Sequence, residues 1–468
     1  MNWGKFYTRL PVGFQSIAVS AHGFRWKKRR FGGIFSEELN KFRQRENFSV
    51  SEWQNYLTAQ LRFLLLHSFD QVPFYHESFT NAGLQRSMLE KFELTDLNKL
   101  PYLSKQTLRL EGKRKLLSGK PEKKGEFFSS SGSTGTPTQI LFSHAMHQRW
   151  SAGFEARIRH WAGVDRFTPR GMIGGRRVVP EGMAKPPFYR YNFFEKQTYF
   201  SAYHISAATV GDYLEGMKRN GVHYMTGYAM SNFFLARFIK ECGLEAPDMK
   251  AVITSSEKLT PEMSKLFSEV YKCDTYDSWS GLEACGLVSE CEHGSLHVSP
   301  DLGIIELLDD NGHEVQPGEV GEVVCTGLVN FDQPLIRYRI GDLMRKGKGD
   351  CQCGRKMPVI SEIVGRVEDT VVGMDGREMV RFHGIFIDLP NLIEGQVIQW
   401  EMDVFEIKIV SNGRWTTEES SIVTKRMISQ LGNIKLEIHE VDSIPRHNGK
   451  FRAVISHVKR IDPQGLHA

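Results

Sequence analysis

Ser129-Ser130-Ser131-Gly132-Ser133-Thr134-Gly135-Thr136-Pro137-Thr138 is the stretch on which the reading of this chain turns. It crowds hydroxyls around two glycines. Glycines let backbone N–H groups approach an anion closely, and hydroxyls add short donors. Such a loop can wrap the phosphates of a nucleotide. It lacks the Gly-Lys-Ser/Thr ending of P-loop kinases and NTPases. The competing reading is a flexible serine-rich linker. A linker is rarely set between apolar runs such as Phe127-Phe128 and Ile140-Leu141-Phe142.

Outward from the loop, residues 120–345 alternate short apolar runs with helical patterns. Val252-Ile253 leads into polar Thr254-Ser255-Ser256 and then Thr260-Pro261-Glu262. Thr260 suits an N-cap and Pro261 the first helical position. This rhythm predicts an α/β fold with functional loops at the carboxyl ends of strands. Residues 302–345 differ. Ile304 to Leu308, the Asp309-Asp310-Asn311-Gly312 turn and the run Gly318 to Thr326 predict a β-rich subdomain. Beyond Gly365-Arg366 come a turn signal at Asp375-Gly376, strands over Val404–Val410 and Lys435–Val441, and a helix over Thr416–Leu431. These predict a small α+β domain. Upstream, Trp53, Tyr56, Leu57, Leu61, Leu64 and Leu65 predict a helix over 52–70 that stops before Pro73.

The chain has 468 residues, 40% hydrophobic and 25% charged, which excludes a disordered tail, a fibre and a multispanning membrane protein. A net charge of +5 is too weak to imply nucleic-acid binding. Leu10 to Ala21 is too polar for a signal peptide, so a cytoplasmic chain is expected. Arg25, Lys27, Lys28, Arg29 and Arg30 predict a solvated basic turn. The alternative is weak peripheral contact with an anionic membrane surface or a phosphorylated lipid carrier.

Seven sparse cysteines do not form a secreted disulfide framework. Cys351-x-Cys353-Gly354 is a knuckle-like turn, and Cys291 and His297 precede it. Together they offer a Cys₃His set for structural Zn²⁺, with Cys285 and His293 as alternative ligands. Four unlinked residues with reduced thiols are the competing reading.

Five motifs then stand in one order. The Ser-Ser-Gly-Ser-Thr-Gly-Thr-Pro loop resembles the phosphate loop of adenylate-forming enzymes. Trp279-Ser280-Gly281-Leu282-Glu283, Arg337-Tyr338-Arg339-Ile340-Gly341-Asp342-Leu343, Gly365-Arg366-Val367-Glu368-Asp369 and Pro445-Arg446-His447-Asn448-Gly449-Lys450 resemble that superfamily's later motifs. Val72-Pro73-Phe74-Tyr75, Glu290-Cys291-Glu292 and Cys351-Gln352-Cys353-Gly354-Arg355 resemble its phenylacetate–CoA ligase branch. Within that branch the likeness is greatest to the CapK-type members linked to capsular polysaccharide synthesis. The resemblance covers roughly residues 50–460.

The resemblance implies a large nucleotide- and acyl-binding body over 1–364, with mixed α/β sheets. A small mobile domain over 365–468 would carry the catalytic lysine. It implies ATP-dependent conversion of a carboxylate to an acyl-adenylate, then transfer to CoA or to a glycan or lipid-carrier acceptor. Ser130, Ser131, Gly132, Ser133, Thr134 and Gly135 match the phosphate cradle, and Glu283 the Mg²⁺ ligand. Asp342 matches the ribose acceptor, Arg366 a contact near the ribose or phosphates, and Asp369 (with Glu368 as alternative) the hinge. Lys450 matches the catalytic lysine, and Trp279 stands for the aromatic near adenine. Tyr228 and Ser255-Ser256-Glu257 match regions that line the acyl and nucleotide pockets. One position departs: where the family has a hydroxyl that contacts the α-phosphate, this chain has Leu282. Either Ser280 or Ser278 replaces it, or adenylation is weakened. That departure is the sole support for a competing reading, a non-catalytic scaffold of a polysaccharide assembly system.

Overall fold

A computed structural model describes residues 7–8, 10–121, 125–129, 138–176, 178–180, 183–366, 371–372, 378–379, 383–386, 389–445 and 452–458. Ser130 to Gly135, Glu368, Asp369, the Asp375-Gly376 turn and Lys450 fall outside the described residues, as does the Arg366 side chain. The chain divides into two compact units. One is Met1–Ile340 with Met344–Ile363, the other Gly341–Leu343 with Val364–Ala468.

Nine helices of nine residues or more are found among the described residues. They are α1 (Val12–Phe31), α2 (Phe35–Arg45), α3 (Val50–Gln71), α4 (Pro73–Asn81), α5 (His144–Phe154), α6 (Val210–Arg219), α7 (Ala229–Glu241), α8 (Pro261–Tyr271) and α9 (Thr417–Leu431). A π-helical turn, Glu155–Arg159, continues α5. The strands begin with a hairpin, β1 (Glu126–Ser129) and β2 (Gln139–Phe142), which flanks the hydroxyl-rich loop. They continue as β3 (Arg170–Gly174), β4 (Tyr189–Asn192), β5 (Gln197–Ser201), β6 (Tyr224–Tyr228), β7 (Ala251–Ser255) and β8 (Asp274–Ser280). Next are β9 (Leu287–Glu290), β10 (Leu296–Val298), β11 (Gly303–Leu308), β12 (Val320–Gly327), β13 (Tyr338–Lys346) and β14 (Val359–Arg366). The second unit adds β15 (Val371–Val372), β16 (Glu378–Met379), β17 (Leu392–Glu401), β18 (Val404–Ser411), β19 (Lys435–Glu440) and β20 (Val454–Ser456).

Twelve strands form one sheet in the order β11-β12-β13-β14-β10-β9-β8-β7-β6-β3-β5-β4. β5, β3, β6, β7 and β8 run parallel. On one face, Ile173, Phe200, Met225 and Val252 pack against Tyr213, Met217, Leu235, Phe267 and Tyr271 of α6, α7 and α8. The β-rich region expected over 302–345 is present. Its β11–β12 pair is antiparallel, and its strands extend the same sheet. In the second unit the sheet order is β19-β18-β17-β20. Val397, Phe405 and Ile407 bury with Val423 and Met427 of α9.

Local capping chemistry explains several boundaries. Ser49 and Glu52 close a capping box at α3, and Pro73 follows its end by opening α4. Thr260 accepts from Met263 N–H at 3.3 Å, with Pro261 at the first position of α8. Thr416 and Glu419 box the start of α9.

The basic cluster is not a solvated turn. It forms the end of α1, and four of its five charges have partners within the fold. Arg25 pairs with Glu126 at 2.5 Å, and Lys27 donates to the Phe194 carbonyl at 3.1 Å. Arg29 donates to the Phe142 carbonyl at 2.7 Å and to His147 Nδ1 at 3.1 Å, and Arg30 pairs with Glu195. The cluster docks α1 onto the rest of the first unit, and among the described residues Lys28 is the one of the five left without such a bond. That use of the charges corrects the basic-turn expectation: the cluster is the end of a helix, with Arg29 buried and Arg25 and Lys28 still exposed. No helix among the described residues is long and apolar enough to cross a membrane.

Candidate active site

The parallel strands bring several predicted residues to one carboxyl edge. β6 ends at Tyr228, β7 at Ser255 and β8 at Ser280. Tyr228 is level with Ser255, and Ser255 with Ser278. Ligands in open α/β sheets bind at this edge. Gly227 permits the close packing there: it has φ 123°, and a Cβ would lie 1.8 Å from the Ile173 carbonyl oxygen. Glu257 accepts from Met230 N–H at 2.8 Å, which caps the start of α7. Burial, with Glu257 adding to it, pushes the Tyr228 hydroxyl up to about 12.

Glu283 lies in the turn after β8 and is buried. Thr138, at the end of the hydroxyl-rich loop, donates its hydroxyl to Glu283 Oε1 at 3.3 Å. Tyr338, from the Arg-Tyr-Arg motif, donates to the same oxygen at 3.4 Å. Among the described residues no Lys, Arg or His ion-pairs with Glu283, and both donors use Oε1. A buried carboxylate with long hydroxyl bonds and no cationic partner has the chemistry of a cation ligand. Thr138 and Tyr338 had no role assigned from sequence, although both lie inside the quoted motifs.

The two serines offered in place of the missing hydroxyl differ. Ser278 is buried and donates to the Thr254 carbonyl at 2.9 Å, so its proton is used internally. Ser280 is exposed at the end of β8, and Leu282 is half-buried. Trp279 is 8% exposed and belongs to the larger apolar core of the first unit. Asp342 lies on β13, in the part assigned to the second unit, and Arg366 closes β14.

Arg337 opens the same motif at φ 44°, unusual for a residue with a side chain. It is buried and grips Glu306 through two bonds of 3.0 and 2.8 Å. It also donates to the Leu100 carbonyl at 2.9 Å and stacks on Tyr102 at 4.2 Å. Arg337→Ala leaves the Glu306 carboxylate unpaired, and the expected cost is about 3–5 kcal/mol. Urea unfolding checks it; an unchanged midpoint would contradict a structural role.

Asp277, on β8, is pushed up to about 7, chiefly by burial and further by Glu290. The Ser278 N–H and the Thr254 hydroxyl oppose the shift at 2.9 and 3.2 Å. Its folded value stands above the ordinary carboxylate value of about 4. Between those values the folded state holds a proton that the unfolded state has lost, so stability falls as pH rises through the window. In Asp277→Asn the decline in melting temperature from pH ~4 to ~7 is expected to flatten. An unaltered slope would count against the assignment.

Cys291, His297, Cys351 and Cys353 converge, with all four ligand atoms within 4.8 Å of one another. Cys291 and Cys351 sulfurs are 3.7 Å apart, and Cys353 Sγ is 3.4 Å from His297 Nε2. A tetrahedron with Zn–S bonds of ~2.3 Å has sulfurs ~3.8 Å apart. The two cysteine turns are built alike. In each, sulfur accepts an N–H from two residues on at 3.4 Å, from His293 and from Cys353. In each, a glycine of positive φ follows three residues after the first cysteine: Gly294 at 75° and Gly354 at 80°. His297 turns Nδ1 toward the Met357 carbonyl at 3.4 Å, leaving Nε2 for the cluster. Cys285 and His293, the alternative ligands, are not in the group.

Residues 376–457 match the family model of the CapK C-terminal domain. Protein CapK of Staphylococcus aureus is 23% identical over 97% of this chain and 99% of its own length. A phenylacetate–coenzyme A ligase of Pseudomonas putida is 26% identical over 85% of this chain and 88% of its own. Among solved structures, 2-hydroxyisobutyryl-CoA ligase in the postadenylation state with R3-HIB-AMP superposes with a TM-score of 0.69. It is 19% identical and covers 88% of this chain and 91% of that one. The fold is the one used by adenylate-forming CoA ligases, as the motif order implied.

Proposed function

We propose that this chain, a relative of CapK and of the phenylacetate–CoA ligases, is an ATP-dependent acid-activating ligase. A carboxylate oxygen attacks the α-phosphorus of ATP, the bond to the β-phosphate bridge breaks, and acyl-adenylate and pyrophosphate form. The acyl carbon then passes to the thiol of CoA, or to a hydroxyl or amine on a glycan or lipid carrier, releasing AMP. A place in cell-surface polysaccharide synthesis, in the cytoplasm where ATP is available, fits the likeness to CapK. The observation that carries the reading is Glu283, buried and held by two hydroxyls with no cationic partner among the described residues.

Each group answers a need of two anions brought together. Ser130 to Gly135 cradle the β- and γ-phosphates, and Glu283 holds Mg²⁺, which offsets phosphate charge. Ser280 donates to the α-phosphate where Leu282 cannot, and its exposure at the strand end supports that choice over Ser278. Asp342 accepts from the ribose hydroxyls, Arg366 lies by the ribose or phosphates, and Trp279 borders the adenine. The domain over 365–468 turns on Asp369 to present Lys450. We also assign Cys291, His297, Cys351 and Cys353 to structural Zn²⁺, since protein atoms supply all four positions.

The test is carboxylate-dependent ATP–pyrophosphate exchange across a panel of acids, followed by acceptor assays with and without CoA. Exchange that depends on an added acid is expected. ATP binding without exchange for any acid would favour the scaffold that Leu282 suggests.

A further inference from the structure

The face of the parallel sheet opposite the α6–α8 core is not apolar. Alternate residues Arg170 and Met172, Gln197 and Tyr199, Tyr224 and Thr226, and Ile253 turn into a cavity of about 280 Å³. Strand register keeps them level: Arg170 pairs with both Gln197 and Tyr224, and Met172 with both Tyr199 and Thr226. Helix α1 closes the cavity with Trp26 and Arg30, α5 with His147 and Trp150, and the π-helical turn with Arg159. Arg176, just past the end of β3, completes the wall. The cavity has room for about nine water-sized groups at ~30 Å³ each.

Its charge is lopsided. Among the described residues Arg30, Arg159, Arg170 and Arg176 line it, and no carboxylate does. Two acids stand behind the wall. Glu195 pairs with Arg30 and lies 3.7 Å from Arg170, and Glu155 pairs with Arg159 at 2.6 Å. Glu155 is shared further with Arg166 at 3.7 Å. Among the described residues the partners of Arg176 are the neutral Tyr199 hydroxyl at 3.2 Å and the Trp26 and Tyr199 rings at 5.8 Å each. Arg30 Nε is buried with no hydrogen-bond partner. Among the described residues, four cations against two shared carboxylates leave an excess of positive charge in a confined space, which is costly unless an anion enters. Burial acts on two of the lining groups. Burial, reinforced by Arg30 and Arg29, pushes His147 down to about 3, so it stays neutral. Burial also pulls Arg30 down to about 10 despite Glu195.

The cavity's lining ends on β6 and β7 at Thr226 and Ile253, each two residues short of the carboxyl-edge residues Tyr228 and Ser255. Thr226 lies two residues, ~7 Å at ~3.3 Å per residue, before Tyr228 at the carboxyl edge. We propose that this arginine-lined cavity binds the far end of the acid to be activated, and that this end carries a second negative charge. A compact dicarboxylate is the simplest such substrate. The acid enters at the carboxyl edge, its reacting carboxylate stays at the edge, and its second anion meets Arg176 and Arg30. Trp26 and Trp150 flank the chain between them.

This inference rests on the ligase reading for turnover but not for binding, so both are measured. Succinate, glutarate and adipate are compared with butyrate, pentanoate, hexanoate and phenylacetate. Tryptophan fluorescence without ATP reports binding beside Trp26 and Trp150, and pyrophosphate exchange reports activation. At least one dicarboxylate is expected to change the fluorescence saturably, and to exceed its monocarboxylate partner in exchange by about tenfold. Arg176 is exposed at the rim, so Arg176→Gln is expected to fold, to keep its melting temperature and to lose that roughly tenfold preference. Exchange with monocarboxylates alone keeps the ligase reading and overturns the dianion. Saturable dicarboxylate binding without exchange by any acid keeps the dianion site and overturns the ligase reading. No fluorescence response to any dicarboxylate, or a preference unchanged in Arg176→Gln, overturns the site.

Discussion

Glu283→Gln is expected to lower acid-dependent pyrophosphate exchange by about a hundredfold or more, with little change in melting temperature. The amide keeps the size of the carboxyl group. Its oxygen can still accept from Thr138 and Tyr338, whose bonds to Oε1 are 3.3 and 3.4 Å. What is lost is the negative charge that a hard divalent cation requires. The two readouts therefore separate a ligand from a structural carboxylate. If Glu283 merely anchored Thr138 and Tyr338, Gln would keep most activity and Ala would reduce both stability and rate. Raising Mg²⁺ should partly restore Glu283→Gln, because weakened affinity is overcome by mass action. Lys450→Ala should also abolish exchange but should not respond to Mg²⁺. Full exchange in both variants would exclude the proposed roles.

The second large effect concerns the Cys₃His cluster. Protein prepared without chelators should contain about one zinc per chain, and Cys353→Ser well under one. Zinc supplies ~10–16 kcal/mol to the folding of zinc-finger peptides, so loss of one ligand should cost several kcal/mol here. The melting temperature should fall by several degrees, and chelation should bring the parent protein to the same value. The reason is topological. The cluster ties the turn after β9 and β10 to the loop between β13 and β14, and Trp53, Trp161 and Met357 pack around it. β10 and β14 are joined through two register pairs, Leu296 with Ile360 and His297 with Val359, and Val298 N–H donates to the Pro358 carbonyl at 2.9 Å. A metal would thus secure a sparsely bonded part of the sheet. Well under one zinc in the parent protein, with melting unmoved by chelator, would make the four residues unlinked thiols and an imidazole.

Much of the fold was legible because its signals are local. Thr260-Pro261 marks a helix start within a single turn, and the helix expected from Thr416 is capped there by Thr416 and Glu419. Ile304 to Thr326 marks a hairpin through two apolar runs and the Asp309-Asp310-Asn311-Gly312 turn. The Cys291, His297, Cys351 and Cys353 set was also readable, since ligand chemistry restricts which residue types can serve. Where the reading of Arg25 to Arg30 went wrong, charge density was taken for exposure. Density says nothing of partners supplied from 100 or more residues away, such as Glu126, Phe142 and Glu195.

The sequence by itself determined the order of the motifs, the α/β class and the residue types at the candidate site, because each depends on short spacing along one chain. Only the tertiary structure decided that Thr138 and Tyr338 meet on one oxygen of Glu283, and that Ser278 is occupied while Ser280 is exposed. It alone decided that Arg30, Arg159, Arg170 and Arg176 share one cavity. Those residues come from a helix, a π-helical turn, a strand and a loop. Their convergence depends on strand register and on which sheet face each alternate residue takes, and a shift of one residue would turn Arg170 to the other face.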